Sequence, residues 1–156
     1  MTTINPYLTF NGNCLEAFEF YRSVFGGAFG FVGKFKDMPP NPDYPALPEE
    51  AEYIMHISLK ISNETVLFGS DSSASFGKAT VFGNNITISI NTDSVDEVTR
   101  LYNELSHGGD IKMPLAKTFW GAYFGQFTDK FGINWMVNCE LQEHKDFERK
   151  HRKDGN

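Results

Sequence analysis

His56 is the group in this chain best placed to do chemistry. It stands within Tyr53 to Ile61, a run that reads as a core strand, and it is the one histidine in such a run. A neutral imidazole there can act as an acid or base, ligate a metal, or close a structural hydrogen bond. The other histidines offer less, because His107 ends a helical stretch near its negative pole and His144 and His151 lie in a charged tail. Cys14 and Cys139 have no metal-type spacing and read as reduced thiols.

Two other runs collect polar side chains on one face. In Asn85 to Asn91, Asn85, Thr87, Ser89 and Asn91 alternate with Ile86, Ile88 and Ile90, so the isoleucine face is expected under a helix. In Ile133 to Cys139, Asn134, Met136 and Asn138 oppose Ile133, Trp135 and Val137. Amides and hydroxyls on such a face either meet solvent or line a polar pocket. Trp120 and Trp135, with Phe119, Tyr123, Phe124, Phe127 and Phe131, concentrate rings in the last quarter as core or as a wall for a planar ligand. Asp129 to Gly132 reads as a hairpin turn, with Asp129 a turn-former.

These groups must be positioned by a repeated unit. Asn13 with Glu16, and Ser94 with Glu97, have the spacing of a capping box, and each precedes a helical stripe. The first stripe is Cys14, Ala17, Phe18, Tyr21, Val24 and Phe25, and the second is Val95, Val98, Leu101, Tyr102 and Leu105. Gly26-Gly27 and Gly108-Gly109 end the two helices. Cap, capping Glu and mid-helix Tyr recur at one offset (94 − 13, 97 − 16 and 102 − 21 are each 81). Strand-like runs complete each copy: Tyr7 to Phe10, Ala28 to Lys36, Tyr53 to Ile61 and Thr65 to Ser70, then Asn85 to Asn91, Asp110 to Ala116, Tyr123 to Thr128 and Ile133 to Cys139.

The expected fold is therefore α+β, two βαβββ modules at about 5–71 and 85–139, together a domain over 1–140 with a charged tail at 141–156. Proline-rich Asp37 to Glu50 and the Ser/Gly-rich stretch Asp71 to Asn84 are loops long enough to act as lids. At 156 residues the chain can bury roughly 70% of its extended surface and needs no staple. A net charge of -6 disfavours nucleic acid and anionic lipid as partners. With no run of 18 apolar residues and no leader pattern, a cytoplasmic location is expected.

The opening Pro6-Tyr-Leu-Thr-Phe-Asn-Gly-Asn13, then Glu16-Ala-Phe-Glu-Phe-Tyr21 and Val24-Phe-Gly-Gly27, resemble the PhnB-like branch of the glyoxalase/bleomycin-resistance (vicinal oxygen chelate) superfamily. Met55-His56-Ile57, Leu67 to Asp71, Thr118 to Gly121 and Thr128 to Met136 follow the same pattern in order, so the likeness covers about Asn5 to Asn138. The branch is sometimes labelled a 3-demethylubiquinone methyltransferase domain. The resemblance implies sheets curved around a cavity, in a homodimer. Superfamily enzymes set His, Gln or Glu around a divalent metal from the first and last strands of each module. Here those positions fall on Pro6, or Tyr7 if the register slips by one, and on Phe68, Asn85 and Met136, which make a poor donor set. No Gly-rich nucleotide loop opens a doubly wound sheet, which argues against S-adenosylmethionine.

The expectation is thus a cavity without metal or cofactor that binds a small molecule, with Trp120, Phe68 and Trp135 supplying rings and Asn85, Thr87, Asn138, Asp71 and His56 supplying polar contacts. The alternatives are an enzyme with an altered site in which His56 acts as acid or base, and a structural or regulatory dimer without ligand.

Overall fold

Alternation in the shortest strand already sets the layers of the first module. In β1 (Tyr7–Phe10), Leu8 and Phe10 are buried while Tyr7 and Thr9 are exposed. A computed structural model describes residues 1–141 and Arg152, so the charged tail lies outside the described residues except for Leu141 and Arg152. The chain divides into two units, Met1–Val81 and Phe82–Asn156, and each folds as one βαβββ module.

After β1 the first module continues with α1 (Cys14–Phe25), β2 (Phe29–Lys34), β3 (Ile54–Lys60) and β4 (Val66–Asp71). Its sheet order is β1-β4-β3-β2, parallel between β1 and β4 and antiparallel elsewhere. The second module has β5 (Ile88–Thr92), α2 (Val95–Ser106), β6 (Asp110–Lys117), β7 (Ala122–Thr128) and β8 (Asn134–Glu140), in the equivalent order β5-β8-β7-β6. Both ends of α2 lie 81 positions after those of α1 (95 − 14 and 106 − 25). The two expected modules are present, each a mixed four-stranded sheet with one helix.

The predicted stripe of α1 is buried at Cys14, Ala17, Phe18, Tyr21 and Val24, and α2 buries Val98, Leu101 and Leu105. Each large apolar side chain so buried contributes about 1.5–3 kcal/mol. Gly69 in β4 lets α1 come close, since a Cβ there would collide with the ring of Phe18. Gly26 ends α1 at φ +80°, and Gly108 follows α2 at φ +75°. Burial, and then the negative charge of Asp71, pushes the Cys14 thiol well above its ordinary pKa, so it packs as an apolar group.

The helix starts differ from each other. Ser94 Oγ accepts the Glu97 amide at 3.1 Å, the first half of the expected capping box, while the Glu97 carboxylate turns to Arg100. Asn13 makes no side-chain cap. The start of α1 is held instead from across the sheet by Asp71, whose Oδ1 accepts the amides of Gly12 (2.8 Å) and Cys14 (3.0 Å). Its Oδ2 accepts the amide of Ile54 at 2.9 Å.

One expected face is corrected, and one strand departs from plain alternation. The run Asn85 to Asn91 becomes a strand only from Ile88, and Ile86 is 75% exposed rather than under a helix. The partner strand β8 begins at Asn134, and the Asn134 side chain takes the carbonyls of Gly83 and Ile86, so no strand edge remains there to pair. In β3, Ile54 is fully buried with Ile57 and Leu59, although plain alternation puts it on the face of His56. The β2–β3 register slips between Gly33↔His56 and Lys34↔Ile54, and this bulge at Met55 inverts the pattern.

Replacing Asp71 by Asn should cost about 3 kcal/mol in urea unfolding, because an amide donor then faces backbone donors in a buried site. The exposed control Asp43→Asn should stay within about 0.5 kcal/mol of the parent. A midpoint for Asp71→Asn equal to that of the control would remove Asp71 from its cross-sheet role.

Candidate functional site

The sheet of the first module has one face under α1 and one open face. Alternation from the buried Leu8, Leu67 and Ile57 puts Tyr7, Phe68 and His56 on the open one. Tyr7 stands directly opposite Phe68 in the parallel pair, with ring centroids 6.3 Å apart. His56 lies beside both, 5.7 Å from Tyr7 and 5.6 Å from Phe68, and Phe31 of β2 flanks it on a third side at 5.8 Å. The Tyr7 hydroxyl is 3.2 Å from His56 Nδ1. In the tautomer where Nδ1 accepts from the phenol, Nε2 carries the proton, and no described side chain takes it up. Tyr7 and Phe31 are each 50% exposed, so the rings form an accessible surface and not a sealed core.

Two clefts lie elsewhere in the same module, and neither is lined by Tyr7, Phe31, His56 or Phe68. One, of about 400 Å³, runs from Met55 and Ser70 to Phe35, Phe76 and Lys78. The other, of about 460 Å³, lies under the proline-rich segment and includes Phe35, Tyr44, Leu47 and Phe76. The Ser/Gly-rich stretch is pinned to the end of β1, where Asn11 exchanges hydrogen bonds with the backbone of Thr80 (3.0 and 2.8 Å).

The other expected contacts are distributed differently. Both oxygens of Asp71 accept backbone amides, so it holds structure where a ligand contact was expected. Trp135 is 2% exposed, and its indole Nε1 donates to Asp129 Oδ2 at 2.8 Å, which makes it core and not pocket wall. Asp129 also accepts the amides of Phe131 and Ile133, as a turn-former should. Trp120 is 44% exposed, edge-on to Phe119. Asn138 donates to Asn91 at 3.3 Å on the polar face of β5 and β8, while Asn85 and Thr87 precede β5. Sequence reasoning missed Phe31, and it named Tyr7 only as the slipped alternative to Pro6. Alternation in β1 carries the signal for Tyr7, since a buried Leu8 and Phe10 require an outward Tyr7.

A divalent metal does not fit these positions. In the first module the register gives a phenol and a phenyl ring, Tyr7 and Phe68. In the second it gives Ser89 opposite Met136, with Asn85 outside the strand. Hard and borderline ions want imidazole, carboxylate or thiolate. No three His, Cys, Asp or Glu side chains among the described residues come together as a metal site.

A family model described as 3-demethylubiquinone-9 3-methyltransferase matches residues 2–138. Protein YjdN of Escherichia coli K12 is 32% identical over 148 residues, which is 90% of this chain and 97% of that protein. The crystal structure of PA1353 from Pseudomonas aeruginosa is 42% identical, with a TM-score of 0.76 over 91% of this chain and 100% of that one. A glyoxylase/bleomycin resistance protein/dioxygenase domain from Frankia shares the fold at 10% identity, with a TM-score of 0.63 over 95% and 98% of the two chains.

The contrast between the two tryptophans is open to measurement. In Trp120→Phe, the remaining Trp135 should emit at short wavelength and resist iodide quenching. In Trp135→Phe, the remaining Trp120 should be quenched readily; equal quenching of both would contradict the core assignment of Trp135.

Proposed function

The chain belongs to the 3-demethylubiquinone-9 3-methyltransferase family, with the glyoxalase/bleomycin-resistance fold, and on that footing we propose that it binds a small planar molecule without metal on the open face of the first module. One observation carries this reading. Three rings from three different strands, Tyr7, Phe31 and Phe68, surround a single imidazole whose Nε2 is not taken up by any described side chain. An apolar, ring-lined surface with one placed polar group is the usual design of a small-molecule site. The rings supply stacking area, and the His56 N–H would fix a carbonyl or similar acceptor.

The methyltransferase description is not carried over as an activity. Each module has one helix on one face of a mixed sheet, whereas the dinucleotide-type crevice needs helices on both faces of a parallel one. The Tyr7 to His56 contact also supports a second reading, in which His56 is a general acid or base and Tyr7 sets its tautomer. The proposal includes a homodimer, for which light scattering should give about twice 17.6 kDa.

The probe 2-acetylnaphthalene is planar, uncharged and carries one carbonyl. It should raise the melting temperature and shift the amide resonances of β3 and β4. Phe68→Ala and Phe31→Ala should each weaken it about tenfold or more, the loss of a ring anchor. EDTA should leave binding unchanged, and protein purified without tag or chelator should carry far less than one equivalent of zinc, nickel, iron or manganese. Stoichiometric metal, or binding lost with EDTA, would overturn the metal-independent reading, and shifts confined to other parts of the chain would overturn the placement of the site. Turnover of a carbonyl substrate that disappears in His56→Ala would favour the second reading.

A further inference from the structure

The larger cleft has a chemical character of its own. Its walls are rings: Tyr44 and Phe76 stack with centroids 4.7 Å apart and planes 4° from parallel, and Phe35 lies 5.8 Å from Phe76. Among these apolar walls sits a carboxylate. Glu50 is only 8% exposed, yet it lines the cleft, and its Oε1 accepts the Ala74 amide at 3.1 Å. Its Oε2 takes no hydrogen bond or ion pair from a described residue, and since no fully buried side-chain oxygen among them is left unpaired, it is reached by solvent at the cleft wall.

The charge of its roof points one way, although Lys78 lies on the adjoining cleft. The segment 37–50 that roofs the cleft carries Asp37, Asp43, Glu49 and Glu50, with no Lys, Arg or His. Lys36 also lines the cleft, but its ammonium is 2.7 Å from Glu52 Oε1, outside the lining, and Glu52 holds it. An ionised carboxylate with one oxygen open to solvent among apolar walls can exchange that water for an organic cation. The negative faces of aromatic rings attract the same charge. Prolines 39, 40, 42, 45 and 48 fix the backbone of the roof in advance, which lowers the ordering cost of binding.

We propose that this cleft binds an organic ammonium ion, a substituted amine or quaternary ammonium whose charge meets Glu50 and whose apolar body lies against Tyr44, Phe76 and Phe35. The volume of about 460 Å³ suits a ligand larger than a bare inorganic cation. This site takes a ligand of opposite character to that proposed for the open face, and it stands whether or not that face binds a neutral molecule.

Benzyltrimethylammonium and its neutral isostere neopentylbenzene separate charge recognition from apolar filling. The ammonium should bind about tenfold or more tightly than the isostere, as expected where a cation meets rings and a partly buried carboxylate. Glu50→Gln keeps an oxygen for the Ala74 amide and removes the charge, so it should erase that preference. Phe76→Leu, at a half-exposed position, should weaken the ammonium while leaving the fold intact. It tests the cleft independently if Glu50→Gln unfolds. His56→Ala should leave ammonium binding unchanged, which separates failure here from failure at the open face. Equal affinity for the two probes, full affinity in folded Glu50→Gln or in Phe76→Leu, or no binding of the ammonium at millimolar concentration would overturn the proposal.

Discussion

A single carboxylate ties the first module together. Asp71, at the end of β4, reaches the amides of Gly12 and Cys14 at the start of α1 and the amide of Ile54 at the start of β3. Three elements distant in sequence are therefore indexed to one side chain. A buried carboxylate is tolerated only when donors surround it, so the arrangement is close to all-or-none. The consequence reaches the candidate site. Ile54 is fixed on the core side, the bulge at Met55 follows, and His56 then emerges on the open face beside Tyr7 and Phe68. Without the fixed start of β3, no bulge need form, and alternation would turn Ile54 outward with His56.

The second module reaches the same topology by local means. Ser94 caps its own helix, and Asp129 serves its own hairpin and the nearby indole of Trp135. The site equivalent to Asp71 in the strand register is Cys139, which is buried opposite Thr92 as Asp71 is opposite Phe10 and brings no carboxylate. One architecture thus carries an aromatic open face in the first module and an amide-rich one in the second. The shared fold with the Frankia domain at 10% identity follows from the same logic, because the pattern of inward residues sets the fold while outward residues are left to vary.

Much of the architecture was legible because it depends on local patterns. The 81-residue offset, the helical stripes and the glycine stops are properties of short windows, and they gave both helices in register. The failures came where a distant side chain overrode a local signal. Asn13 has the sequence of a cap, yet Asp71 does that work from the far end of the module. Asn85 to Thr87 alternate like a strand, yet Asn134 occupies the carbonyls of Gly83 and Ile86. Trp135 looked like a ligand ring because its type suits a pocket, and only its bond to Asp129 shows that its polar atom is already used within the core. Of the site itself, His56 and Phe68 could be named from sequence. Their grouping with Tyr7 and Phe31 depends on the order β1-β4-β3-β2, in which strand 1 pairs with strand 4, and composition does not encode that pairing.

The buried acidic groups offer a physical rule for telling scaffold from site in this molecule. Asp71 and Asp129 each spread donors over both oxygens; Asp71 joins elements distant in sequence, and Asp129 holds its own hairpin. Their charge is consumed by the fold. Glu50 is nearly as buried but accepts one backbone amide, on one oxygen, from a loop that other contacts already hold: Ser75 Oγ donates to the Pro45 carbonyl, and the Ser75 amide donates to Ser73 Oγ. Its second oxygen therefore does nothing for folding that a glutamine could not do, and it is left open at the wall of the cleft. A fold that keeps such a group beside stacked rings leaves one carboxylate oxygen available to something outside the chain, and the number of donors that each carboxylate takes from the fold, more than its burial, marks where that availability lies.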